Sequence, residues 1–431
     1  MNKLNFEQVN ETLYYEKLEN GLEVYVLPKN GFSKSYVTFT TKYGSIDNHF
    51  IPPGKEEVRV PDGIAHFLEH KMFEKEDGDV FQKFSEAGAS ANAFTSFTRT
   101  AYLFSATDHV EQHTKTLLDF VQIPYFTEAT VNKEKGIIAQ EITMYDDMPD
   151  WRLYFGTIEN MYHAHPVKID IAGTIESIQE ITADHLYLCH ETFYHPSNMV
   201  LFAVGAVDPE SFIQLAKDNQ AEKQFKNKPE VVHILPEESD DVAVAYREMK
   251  MDVVQPKVLF GIKAPSLSLQ GNAMLRYELA LQTVLDSLFG RSSEFFEKAY
   301  EDGLIDESYS ADFSMESSYG FSMIGSDTDK PQELIERIKQ QLTVPFSEYT
   351  SISEQLERTK KRKIGTFMRS LNSIEFIANQ FTRYKFNEME LFQVLPVVES
   401  LTVSDLQQAY KHLQNQAAHT QFVILPSNDK K

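Results

Sequence analysis

Within "GIAHFLEHKMFE", Gly63 to Glu74, two histidines and a glutamate stand as His66-Phe-Leu-Glu69-His70. Phe, Leu and Met at mixed three- and four-residue spacings predict a helix, on which residues three and four apart share a face. His66, Glu69 and His70 then point the same way. Two imidazoles one turn apart can hold one divalent ion, and zinc is the usual occupant of such a nitrogen-rich, open site. The glutamate between them would take a proton from water activated there. The alternative is two histidines that share a helix with no ion between them.

A metal centre needs a third protein ligand. Downstream, "VNKEKGIIAQEITMYDD" (Val131 to Asp147) carries an apolar helical stripe of Ile137, Ile138, Ile142 and Tyr145. Glu134 and Glu141 lie on or beside that stripe, two turns apart. A carboxylate on the buried side of a helix is expensive unless paired or bound to a metal. By itself the segment reads better as an amphipathic helix with two snorkelling or salt-bridged glutamates; the upstream histidines reverse that preference toward ligation.

Together these motifs resemble the pitrilysin, insulin-degrading enzyme and mitochondrial processing peptidase family of zinc metallopeptidases, the inverzincins with a His-x-x-Glu-His helix. The resemblance implies that His66, His70 and Glu141 are ligands of one Zn2+ per chain and that Glu69 is the general base. It implies too that Glu134 supports the catalytic group from behind. The likeness extends to "ENGLEVYVLP" (Glu19 to Pro28) as a first strand and "GASANAFTSFTRTAYLFSA" (Gly88 to Ala106) as a hairpin. "YHPSNMVLFAVGAVDPE" (Tyr194 to Glu210) resembles the strand that closes the family's first domain. In "GASANAF" small residues let another backbone approach, and by resemblance Ala91, Asn92, Ala93 and Phe94 line the strand that pairs with an extended substrate. An ordinary hairpin strand with one polar residue turned outward is the other reading.

The chain that holds these residues must form more than one domain, since 431 residues exceed a single ordinary one. "ITADHLYLCHETFYHPSNMVLFAVG" from Ile181 and "LTVSDLQQAYKHLQNQAAHTQFVIL" from Leu401 share a Thr-led helix followed by an apolar strand, at an offset of 220 residues. The fold class expected is α+β: two homologous domains, each a largely antiparallel sheet covered by helices. The resemblance implies that they form half of a clamshell chamber. The boundaries expected are residues 1–222 for the metal-bearing domain, 223–241 for a polar linker acting as a hinge, and 242–431 for a homologous domain without metal ligands.

Composition narrows the partners. A net charge of −23 disfavours nucleic acid and would steer basic peptides. No apolar run is long enough for a membrane span, and the single cysteine, Cys189, rules out an internal disulfide and fits a reducing cytoplasm. One basic run, "ERTKKRKIGTFMRS" (Glu357 to Ser370), is either a solvated helix face or a dock for an acidic group. Where relatives carry an Arg and a Tyr that hold substrate near the metal, the matching positions are Tyr300 and Asp306. The departure leaves two readings: this chain binds substrate in its own way, or, as two-chain members of the family imply, a homologous partner chain supplies the Arg/Tyr pair, in a heterodimer or a homodimer. A peptidase acting on enclosed peptides is the function expected; a catalytically silent scaffold or peptide-binding subunit is the rival, and hydrolysis of a non-peptide amide fits the same ligands.

Overall fold

In the computed structural model, residues 1–225, 230–348 and 350–427 are described. Residues 226–229 of the expected linker lie outside them. The chain forms two compact units, and neither is one continuous stretch. The first comprises Met1–Ile142, Asp170–Leu235 and Met368–Phe386; the second comprises Thr143–Ile169, Pro236–Phe367 and Asn387–Lys431.

The first unit is built on seven strands: β1 (Asn2–Phe6), β2 (Glu11–Lys17), β3 (Glu23–Pro28), β4 (Ser35–Thr41), β5 (Ser90–Thr95), β6 (Thr100–Ala106) and β7 (Met199–Gly205). Their order is β1-β2-β3-β7-β4-β6-β5, antiparallel except for β7 beside β3. β4 and β7 are buried along their whole length. That explains why "MVLFAVG" reads as an unbroken apolar run, since helices pack on both faces of a central strand. The helix Ile374–Phe386 covers β4 and β7, while Val110–Gln122 packs on β4 and β6. At the edge of the sheet, β5 pairs, among the described residues, with β6 alone.

The second unit repeats the plan with β8 (Tyr246–Met251), β9 (Lys257–Lys263), β10 (Ser310–Met315), β11 (Gly320–Asp327) and β12 (His419–Pro426), in the order β8-β12-β9-β11-β10. Only β8 and β12 run parallel. The helix Pro149–Met161 lies on β9 and β12, and Gly271–Phe289 packs against β10. The α+β plan of two similar domains is thus borne out. The passage between units at Leu235–Pro236 falls inside the polar segment 223–241.

The repeat holds residue by residue. Thr182 and Thr402 each accept a hydrogen bond from the backbone N–H three residues on and start the helices Ala183–Phe193 and Val403–Leu413. Short 3-10 turns, Pro196–Asn198 and Gln416–Ala418, then lead into β7 and β12. Every one of these landmarks is displaced by 220 residues.

Candidate metal centre

The His-x-x-Glu-His segment is a nine-residue helix, α1 (Ile64–Met72), and the downstream glutamates sit on a nineteen-residue helix, α2 (Glu128–Asp146). α1 lies against β5 and β6 and buries Ile64, Phe67, Leu68 and Met72, which fixes the face left for His66 and His70. Its start is set by Gly63, at φ +88°, where a Cβ would stand 2.3 Å from the Ala172 carbonyl oxygen. Only glycine fits both the left-handed backbone and that close approach.

Three groups that could hold an ion come together: ligand atoms of His66, His70 and Glu141 lie within 4.8 Å of one another. His66 Nε2 is 3.7 Å from one Glu141 oxygen and His70 Nε2 is 3.6 Å from the other. Ligands held at 2.0–2.1 Å by a tetrahedral ion stand roughly 3.3 Å apart. The observed separations are within a few tenths of that, and they are long for direct hydrogen bonds. Two imidazoles and a carboxylate are a donor set suited to zinc, so the residues present fit the ion that the sequence implies.

The surroundings tune each group. Burial, with His70 nearby, pushes the His66 imidazole down to about 3, so it is neutral and its lone pair is free for a metal. For His70, burial pulls the same way, but the hydrogen bond to Glu134 and the charges of Glu69 and Glu141 outweigh it and raise its pKa. His70 Nδ1 meets Glu134 Oε1 at 3.2 Å. The tautomer that donates from Nδ1 leaves Nε2 bare toward Glu141. Glu69, on the same helix, is 8% exposed, and burial raises its carboxyl above the usual range although the Thr95 hydroxyl, donating to Oε2 at 2.7 Å, works against this. A carboxylate raised in this way is a better proton acceptor near neutral pH.

Sequence reasoning missed Lys71. It is fully buried, pairs with Glu74, and its ammonium lies 3.9 Å from Glu134 Oε2. Glu134 therefore stands between His70 and a buried cation. A lysine inside the apolar stripe of α1, three and four residues from Leu68 and Phe67, was the available signal. Thr95, one residue past the Ala91–Phe94 stretch, is the hydroxyl partner of Glu69.

The four residues of the edge strand divide by face. Ala91 and Ala93 pack with the core on the α1 side, as does Thr95, whereas Asn92 and Phe94 point to the opposite face. The Asn92 side-chain oxygen accepts from the Ala93 N–H at 2.9 Å. In the second unit, Tyr300 is exposed and stacks on Phe296, and Asp306 accepts from the Ser308 N–H within its own turn. On the basic run, Arg362 and Lys363 pair with Asp286, and Lys360 pairs with Glu357. Among the described residues no helix is long and apolar enough to cross a membrane.

Comparison with known proteins places this geometry. The family model for insulinase (peptidase family M16) matches residues 55–175, and that for the peptidase M16 inactive domain matches residues 180–344. Over 405 residues the chain is 58% identical to the uncharacterized zinc protease YmfH of Bacillus subtilis (strain 168), covering 94% of both chains. It superposes on the crystal structure of a putative M16-like peptidase from Alicyclobacillus acidocaldarius with a TM-score of 0.92 at 38% identity, covering 97% of this chain and 99% of that one. The fold is also that of pitrilysin, with a TM-score of 0.75 at 16% identity over 98% of this chain and 45% of pitrilysin.

Proposed function

Because the chain belongs to peptidase family M16, the insulinase family, we propose that it is a zinc-dependent endopeptidase that hydrolyses peptides or unfolded segments. The observation that carries the reading is the convergence of ligand atoms of His66, His70 and Glu141 within 4.8 Å, with the buried Glu69 carboxylate on the same helix as the two histidines. His66, His70 and Glu141 would hold the ion. When bound, zinc supplies Lewis acidity to water and to the scissile carbonyl. Glu69 accepts the proton of the attacking water and hands it to the leaving amine, and the Thr95 hydroxyl holds the carboxylate in position for both transfers. Glu134 fixes the His70 ring and its tautomer, with Lys71 anchoring Glu134 in turn.

The free side of β5 suits an extended substrate, since main-chain groups at a sheet edge can pair with an incoming strand while Ala91 and Ala93 keep the approach open. The Arg/Tyr pair expected of relatives falls at Tyr300 and Asp306, so a homologous partner chain completes substrate binding in this reading. A buried lone cysteine, its thiol pushed up to about 12 by burial, agrees with a reducing compartment such as the cytoplasm.

The test compares wild type with Glu69→Gln, both zinc-loaded, on a mixed peptide library followed by mass spectrometry. Cleavage by wild type alone, at least a hundredfold above the variant, with one zinc per chain in both, is the expected result. Equal cleavage by both would remove Glu69 as the base. Bound zinc with no cleavage by either would favour a silent scaffold, or a chain that works only with its partner.

A further inference from the structure

The first unit carries a hollow that the zinc chemistry leaves unused. After α1 the chain forms a short hairpin, in which Glu74–Lys75 pairs with Gly78–Asp79, and passes into the helix Val80–Glu86. Between this segment and the C-terminal end of the helix Val110–Gln122 lies a cavity of about 570 Å3. Val80 and Phe120, both buried, form its apolar floor, and Ile123, which is 57% exposed, stands at its rim.

Two lysines line the hollow, and they differ. Lys83 pairs with Asp77. Lys75, half-buried, has no carboxylate partner among the described residues, and its Nζ donates instead to the Ile123 carbonyl oxygen at 2.6 Å. An ammonium drawn out of water without a counter-charge gives up its proton more readily. Burial accordingly pushes the Lys75 amine down to about 8, against the opposing charge of Asp77 and with that of Lys83 adding to the fall. At pH 7 roughly a tenth of it is then neutral and nucleophilic, on the order of a hundredfold more than for an ordinary lysine. With Lys75 neutral, the lining carries Glu76, Asp77 and Asp119 against Lys83, so the hollow disfavours an anionic ligand.

We propose that Lys75 is a covalent capture site for small, uncharged apolar aldehydes, whose hydrocarbon tail rests on Val80, Phe120 and Ile123. An aldehyde is the uncharged carbonyl that a lone amine captures without an activated leaving group. The neutral Nζ attacks the carbonyl carbon, forming the C–N bond, and one N–H proton moves to the oxygen. The hydroxyl then leaves as water with the remaining N–H proton, so that C=N replaces C=O. No oxidant or reductant takes part, and water reverses the step. Any lysine makes the same imine; this site adds an apolar hollow beside an amine free to react. It lies wholly within the first unit and does not depend on the peptidase reading.

The experiment treats the full-length protein with hexanal and sodium cyanoborohydride, which fixes each imine as a secondary amine, and maps the labelled lysines by mass spectrometry of chymotryptic peptides. Lys75 is expected to react roughly tenfold or more faster than Lys83. Ile123→Asp, at an exposed position, should slow hexanal at Lys75 roughly fivefold and leave formaldehyde, which has no tail, unaffected, with matching thermal unfolding to exclude misfolding. Lys75→Arg should remove the fast site without transferring it to Lys83. Pyridoxal phosphate, an anionic aldehyde, should lose the preference for Lys75 over Lys83. Equal hexanal labelling of the two lysines, an Ile123→Asp effect of the same size for hexanal and formaldehyde, or a preference for Lys75 that pyridoxal phosphate shares would each overturn the proposal.

Discussion

Among the described residues each unit holds one buried lysine, and the two are used differently. Lys71, on α1, reaches toward Glu134, whose other oxygen bonds a histidine of the candidate centre. Lys263, 3% exposed on β9, bonds Glu238 at 2.6 Å, and Glu238 accepts in addition from the backbone N–H groups of His163, Ala164 and His165. A buried ion pair is costly to form and more costly to break. In the second unit it ties the segment entering from Thr143–Ile169 to the sheet. In the first the same device is spent on holding a ring. Duplication thus kept the strand order and the 220-residue spacing while the polar interior of one copy was left free for architecture.

The comparison breaks most sharply at Glu238. Glu238→Gln would leave the Lys263 ammonium buried without a counter-charge, held only by the Ser239 and Asp241 carbonyl oxygens, and should destabilise the second unit by roughly 3 kcal/mol, read by urea unfolding. The pH dependence has a definite sign. Burial alone would raise this carboxyl, but the Lys263 hydrogen bond and the three amides hold it down at about 2, against 4.5 unperturbed. The folded state therefore binds the proton more weakly than the unfolded one. Its contribution is fully present above pH 4.5 and is lost as pH falls toward 2, a loss that Glu238→Gln should abolish. An unfolding midpoint unchanged by the substitution would mean that the pair is not an anchor.

Glu134→Gln tests the other half. The amide keeps the shape and can still accept from His70 Nδ1, but it removes the charge that Lys71 faces and that favours the ring's orientation. Zinc affinity should fall roughly 10–100-fold, with a much smaller change in unfolding than at Glu238. Competition with a chromophoric chelator measures the first, and thermal unfolding of the zinc-free protein the second. If the stability loss were the larger of the two, Glu134 would belong with Glu238 as architecture.

Much of this was legible in the sequence for a physical reason. His66, Glu69, His70, Glu134 and Glu141 lie on two helices whose periodicity alone places them on shared faces. The paired Thr182 and Thr402 helix starts gave the repeat because capping is local chemistry. What stayed hidden is what depends on the destination of a segment. An amphipathic pattern over Pro149–Met161 or Ile374–Phe386 says that one face is buried, but not which sheet buries it. Each of these helices covers the sheet of the unit formed mainly by the other part of the chain, so the continuous boundaries 1–222 and 242–431 could not anticipate the exchange. The partnership of Lys71 with Glu134 joins positions 63 residues apart in sequence and was equally invisible.

The finest contrast lies in two glycines. Gly63 precedes α1 and Gly271 opens Gly271–Phe289, both at positive φ. A methyl group at Gly63 would stand 2.3 Å from the Ala172 carbonyl oxygen, whereas at Gly271 the nearest atom, the Glu388 carbonyl oxygen, is 3.1 Å away. Alanine at either site meets the left-handed backbone cost of about 1 kcal/mol. At Gly63 the clash with backbone adds to this and has to be relieved by moving the start of α1. Gly63→Ala should therefore lower both stability and zinc affinity, while Gly271→Ala lowers stability alone. Since α1 carries two of the three candidate ligands and the candidate base, a shift of a few tenths of an ångström at its first turn reaches all of them together. Zinc titration and thermal unfolding of the two variants side by side decide it: equal zinc affinity in both would mean that α1 is positioned by its packing on β5 and β6 and not by its first turn.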